Sequence, residues 1–261
     1  MARTPDGPPP PPAVQKLRIR YAKRSRLRFT SHRDFQRALE RALRRAEVPM
    51  AYSAGFNPHP KVSYANAAPT GAASEAEYLE ISVTRRVEPA ALRDALDAAL
   101  PAGLDVVEVT EAEPGALADR LTGGWWELVM PGVLPEVATA ATQALMARET
   151  VEVERLTKNG RRTFDARAAV VRLTVVDSSS ARSELGRAAE ASGRLCAILH
   201  LVVRHATPAV RPDDVLSALS AVADLASESP PQVTRLAQGL LDEEEGTVAD
   251  PLAADRDAAG A

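Results

Sequence analysis

Residues 31–46 read SHRDFQRALERALRRA, and no other stretch restricts the fold of this chain so strongly. Phe35, Ala38, Leu39, Ala42, Leu43 and Ala46 recur at i, i+3, i+4, i+7, i+8 and i+11, which places them on one face of an α-helix. Arg37, Arg41, Arg44 and Arg45 occupy the opposite face. Ser31 is positioned as the N-cap, with Asp34 three residues on at the capping-box spacing. Pro49 stops the helix. Before it, Leu17, Ile19 and Tyr21 alternate with charged neighbours as in a half-buried strand. Leu27 and Phe29, beyond a turn at 23–26, read as its continuation or a second strand.

After the helix the pattern continues as strand (KVSYANA), loop (PTGAASEA), strand (EYLEISVT), helix (EPAALRDALDAAL) and strand (LDVVEVTEAE). Pro101 and Gly103 close that second helix. Residues 15–113 therefore read β–α–β–β–α–β, the ferredoxin-like order. A second α+β module is expected over 114–226. GWWELVMP, AAVVRLTVVD and RLCAILHLVVRH are its strands, and LPEVATAATQALMA and RPDDVLSALSAVADLA its helices. TVEVERLTKNGRRTFDA reads as a strand entering an Asn159-Gly160 turn, and 178–193 as a mobile connection. No residue-level repeat relates the halves. The fold class is α+β, two small sandwich modules. A Pro-rich disordered arm is expected at 1–14 and an acidic disordered tail at 227–261.

The net charge of −3 conceals an asymmetry: residues 13–61 carry thirteen Lys and Arg against three acids. Such a basic segment in an acidic chain suggests a polyanion partner. No apolar run reaches the roughly 20 residues of a membrane helix. MARTPDGPPPPPAV lacks the apolar stretch of a signal peptide, so the expected location is cytoplasmic. The single cysteine, Cys196, excludes an internal disulfide and a cysteine-held iron–sulfur cluster made by this chain alone. No cofactor is expected.

The stretch SAGFNPHPKVSY at 53–64 places one of four phenylalanines and one of four histidines between prolines. Pro58 and Pro60 argue against a core strand and for a stiff loop that presents side chains. Beside an arginine-lined helix, Tyr52 and Phe56 offer stacking surfaces for an unpaired base. Asn57 can read a base edge, while His59, Lys61 and Arg28 add anion contacts. The alternative is that Phe56 plugs the core. His32 and His59 are candidates for acid–base chemistry, and with Asp34 would form a two-His, one-carboxylate set if the loop folds over the helix start. That spacing lacks a metal motif's regularity, and no metal is assigned. Trp125 and Trp126 should divide between surface and core, Cys196 in its apolar strand should be buried and inert, and His200 and His205 should be structural.

Three strings, LRFTSHRDFQRALERALRRAEVPMAYSAGFNPHPKVSYA, GAASEAEYLEI and DARAAVVRLTV with RPDDVL, resemble in order and spacing the radical-SAM-associated domain, a bacterial family of unknown function. Departures are Arg33, where relatives carry an apolar residue, and Ala54, where they carry Gln. The resemblance covers about residues 15–225. It implies a site-lining role for Ser31, Glu77 and Tyr78, and a separate B12-binding radical SAM protein as partner. The combined expectation is an RNA-binding protein that presents its substrate to a modifying enzyme. The rivals are an enzyme acting on a phosphorylated or nucleotide-like small molecule through His59 and His32, and a protein-interaction scaffold.

Overall fold

The computed structural model describes residues 10–157 and 160–259, and the chain divides into two compact units, 1–119 with 251–261, and 120–250. The expected 1–14 arm lies mostly outside the described residues.

The first unit follows the expected order: β1 (Gln15–Lys23), α1 (His32–Arg45), β2 (Val62–Ala65), β3 (Ala73–Val83), α2 (Pro89–Ala99) and β4 (Leu104–Glu111). Its strands lie in the order β4-β1-β3-β2, each neighbour antiparallel, which is the ferredoxin-like sheet. Leu17, Ile19 and Tyr21 of β1 and Leu79, Ile81 and Val83 of β3 form one buried face with Phe35, Leu39 and Leu43 of α1 and Leu92 and Leu96 of α2. The Phe35 and Tyr21 rings stack at 4.3 Å. Ser31 caps α1 by accepting from the Asp34 amide at 3.2 Å. Asp34 does not close a capping box; its carboxylate accepts the Ser31 hydroxyl instead.

Two local expectations fail here. Residues Ser25–Phe29 form a 3-10 turn rather than a strand, because Arg24 and Leu27 carbonyls accept from Leu27 and Thr30 amides. β3 begins at Ala73, inside the expected loop, since small Ala and Ser side chains pack there without an apolar alternation to announce them.

The second unit comprises β5 (Gly123–Pro131), α3 (Pro135–Met146), a β6 (Glu152–Thr157) and β7 (Gly160–Asp165) hairpin, β8 (Val170–Val176), α4 (Glu184–Ala191), β9 (Cys196–Arg204), α5 (Pro212–Ala223), β10 (Gln232–Asp242) and β11 (Thr247–Ala249). Its sheet runs β10-β5-β9-β8, again antiparallel throughout. Without the β6–β7 hairpin and α4, this is β–α–β–β–α–β with the strand order of the first unit. The two units thus share one topology that no residue-level repeat reveals. The expected Asn159-Gly160 turn touches residues outside those described.

The expected disordered tail is the largest correction. Residues 232–242 are a strand whose Val233, Thr234, Arg235 and Gln238 are buried, and Ala253–Ala259 is a helix of the first unit. Acidic and Pro-rich composition misled because several of the residues buried here are themselves polar, Thr234, Arg235, Gln238 and Asp255 among them. The expected mobile stretch 178–193 instead holds α4, capped by Ser183, whose hydroxyl accepts from the Gly186 amide at 2.9 Å. Cys196, expected to be buried, is only partly so.

Candidate functional site

The basic segment separates into two populations. Arg18 is 0% exposed and donates to Glu80 at 3.0 Å, to Asp255 at 2.7 Å and to the Gly115 carbonyl at 2.7 Å. Lys23 is buried against the Ala68 and Pro69 carbonyls. Arg24 is shared between Glu75 and Asp105. These cations hold the first unit together. Along α1, in contrast, Arg33, Arg37, Arg41, Arg44 and Arg45 are all exposed. Arg37 and Arg44 meet Asp34 at 3.8 Å and Glu40 at 3.4 Å, surface pairs of the kind worth at most about 1 kcal/mol. Arg45 also donates to the Ala99 carbonyl at the end of α2. Arg33 and Arg41 have no side-chain partner among the described residues.

The 53–60 loop is built as a presenting hairpin. Its neck is closed by Ser53 N–H to His59 O at 2.9 Å, His59 N–H to Ser53 Oγ at 3.0 Å and Lys61 N–H to Ala51 O at 2.8 Å. Gly55 turns the tip at φ 138°, a conformation that favours glycine. Phe56 is 65% exposed, so it is not a core plug, and Asn57, Pro58 and His59 are exposed with it. Tyr52 is 41% exposed, and the Lys61 side chain reaches solvent. Sequence reading missed Phe29, which is 59% exposed with the Arg28 guanidinium 4.7 Å from its ring centre. Read only as part of a strand with Leu27, it had been given no place in the site.

His32 and His59 do not share a site. The His32 ring packs edge-on against Tyr64 at 5.0 Å and meets Gln36 at 3.1 Å. His59 lines a cavity with Glu40, Arg44 and Tyr52 that includes neither His32 nor Glu77. Among the described residues no three His, Cys, Asp or Glu side chains gather as a metal site. Nor do Glu77 and Tyr78 line a site: both are buried, on opposite faces of β3, and Glu77 accepts from the Ala68 amide at 3.0 Å. Ser31 serves as a helix cap.

Tyr64 lies between His32 and Phe35, and burial, with the nearby Glu40 charge, pushes its phenol up to about 12. The fold therefore favours the neutral phenol. That contribution is complete below the ordinary value of 10.0 and is lost as pH rises through about 12. In an ultraviolet titration Tyr64→Phe should remove one late-ionising tyrosine, and Glu40→Gln should move that tyrosine earlier. A Tyr64 that ionises with exposed Tyr52 would refute this.

In the second unit Glu127 is wholly buried and accepts from the Arg182 and Ser183 amides at 2.6 and 3.0 Å, from the Ser183 hydroxyl, and from His200 Nε2 at 3.2 Å. A carboxylate only accepts, so His200 carries its proton on Nε2. Burial alone would raise the Glu127 carboxyl, but these donors together hold it below the ordinary range. The cluster anchors α4 and has no outlet to a nucleophile: Ser183 and His200 both face the carboxylate, not one another.

Fold and surface together define an α+β protein whose ferredoxin-like first unit carries an exposed arginine helix beside a phenylalanine-tipped loop. The chain matches, over residues 16–212, the family described as an uncharacterised protein conserved in bacteria, DUF2344, and belongs to it. No curated protein matches the chain. Among the described residues, no helix is long and apolar enough to cross a membrane.

Proposed function

We propose that the first unit binds single-stranded RNA, with α1 holding the phosphates and the 53–60 loop stacking an unpaired base. The observation that carries this reading is the contrast within one basic segment: Arg18, Lys23 and Arg24 are committed to the fold, while the α1 arginines face solvent with few acids beside them. Arginine forks match phosphate geometry. Exposed Phe56 and Phe29 supply sequence-tolerant stacking surfaces, the Phe29 ring with the Arg28 guanidinium beside it. The bound RNA would be presented to a separate modifying enzyme, the radical SAM partner that the resemblance implies.

The test is binding of a uridine oligonucleotide across a salt series. The triple variant Arg33→Ala, Arg37→Ala, Arg41→Ala should flatten the salt slope by about 2, at roughly 0.7 for each phosphate of a single strand that is no longer neutralised. Phe56→Ala should weaken binding by about 1–3 kcal/mol with the slope unchanged. Absence of binding at low salt, or an unaltered slope in the triple variant, removes this reading.

A further inference from the structure

Between the C-terminal half of α1 and the loop neck lies a cavity of about 280 Å³. Ligand pockets usually span about 300–1,000 Å³, so this one suits a single ring system rather than an extended ligand. Leu43, Val48 and Met50 give it an apolar floor, and Tyr52 an aromatic wall. Its polar groups are Glu40, Arg44 and His59. Each selects a different part of a ligand. The floor and the Tyr52 ring favour a flat group. Glu40, which only accepts, favours an edge bearing N–H donors. Arg44 and His59 favour an attached anion. The Glu40–Arg44 contact of 3.4 Å is an exposed pair at i,i+4, weak enough to yield both groups to a ligand. The His59 backbone is bonded on both sides to Ser53, which fixes the point from which its side chain lines the cavity.

We infer that this cavity receives one unpaired guanine of the bound RNA, with Glu40 accepting from its Watson–Crick edge and Arg44 and His59 holding the adjoining phosphate. Guanine presents two neighbouring N–H donors there, matching the two carboxylate oxygens. Adenine and cytosine place an acceptor nitrogen beside their amino group, and that nitrogen repels a carboxylate. Uracil flanks its one N–H with carbonyls. This inference rests on the RNA reading and sharpens it to one base.

The test compares, by fluorescence anisotropy at fixed salt, a ten-nucleotide uridine run with the same run carrying one central guanosine. Guanosine monophosphate serves as a separate competitor and ligand. The single guanosine should tighten binding about tenfold, within the range that one bidentate base contact supplies. Glu40→Gln should erase that gain and leave the uridine run bound as before, while Tyr52→Ala should erase the gain through loss of the aromatic wall. Both positions are partly or fully exposed, so the variants should fold, which a thermal melt checks. Equal binding of both oligonucleotides overturns the guanine pocket and leaves the RNA reading intact, as does a gain that persists in Glu40→Gln. If neither oligonucleotide binds while guanosine monophosphate binds in a Glu40-dependent way, the pocket stands and the RNA reading falls. If nothing binds, both fall.

Discussion

Asp255→Ala is expected to destabilise the first unit by about 3–5 kcal/mol, the usual consequence of removing one member of a buried ion pair. Both side chains of the Arg18–Asp255 pair are 0% exposed, and the bond between them is 2.7 Å. Asp255 also accepts from the Glu113 amide at 2.9 Å. Its loss leaves the Arg18 guanidinium with Glu80 and the Gly115 carbonyl, and strands one buried guanidinium N–H and the Glu113 amide without their acceptor. The neighbouring Arg256–Glu108 pair is the control. It lies 42% and 21% exposed, and Arg256→Ala should cost no more than about 1 kcal/mol. Urea unfolding of the two variants separates them. Replacing both partners of the buried pair by Leu and Met should recover much of the loss, since apolar groups of similar volume remove the desolvation cost as well. If Asp255→Ala and Arg256→Ala behave alike, residues 251–259 are not part of the unit's stability.

The second large effect belongs to Glu127→Ala, also expected at about 3–5 kcal/mol but confined to the second unit. Four donors lose their acceptor at once: two amides at the start of α4, the Ser183 hydroxyl and His200. An unsatisfied buried donor costs about 1–3 kcal/mol, and these are too enclosed for all to reach water. Space is equally tight: a Cβ on Gly186 would stand 2.3 Å from Glu127 Oε1, so the first turn of α4 fits against the carboxylate only with glycine there. Hydrogen exchange should therefore quicken first in α4. The pH dependence has a definite sign. The Glu127 carboxyl lies below its ordinary value, so its contribution is present above that value and is lost as pH falls through the depressed one. Glu127→Ala should flatten the acid limb of stability. Unchanged exchange in α4 would show that the helix is held by other contacts.

Much of the first unit could be read directly from residue order. The 3.6-residue stripe of α1, the Ser31 cap, the alternation in β1 and the turn residues after α2 all act within a few positions, and local steric and hydrogen-bonding preferences suffice to specify them. The presenting character of the 53–60 loop was legible too, because proline lacks the donor a sheet requires and so marks where pairing stops. Composition, however, could not distinguish Arg18 from Arg41. One is sealed against an aspartate 237 positions away and the other faces solvent, and nothing local records that difference. The same holds for Glu127, whose partners lie 55 to 73 positions on, and for the C-terminal segment, whose polar look hides the residues that bury. Periodicity reports what a residue does to its own turn or strand. Which charges are buried, and which remain available to a ligand, is decided only when distant elements exclude water from one another.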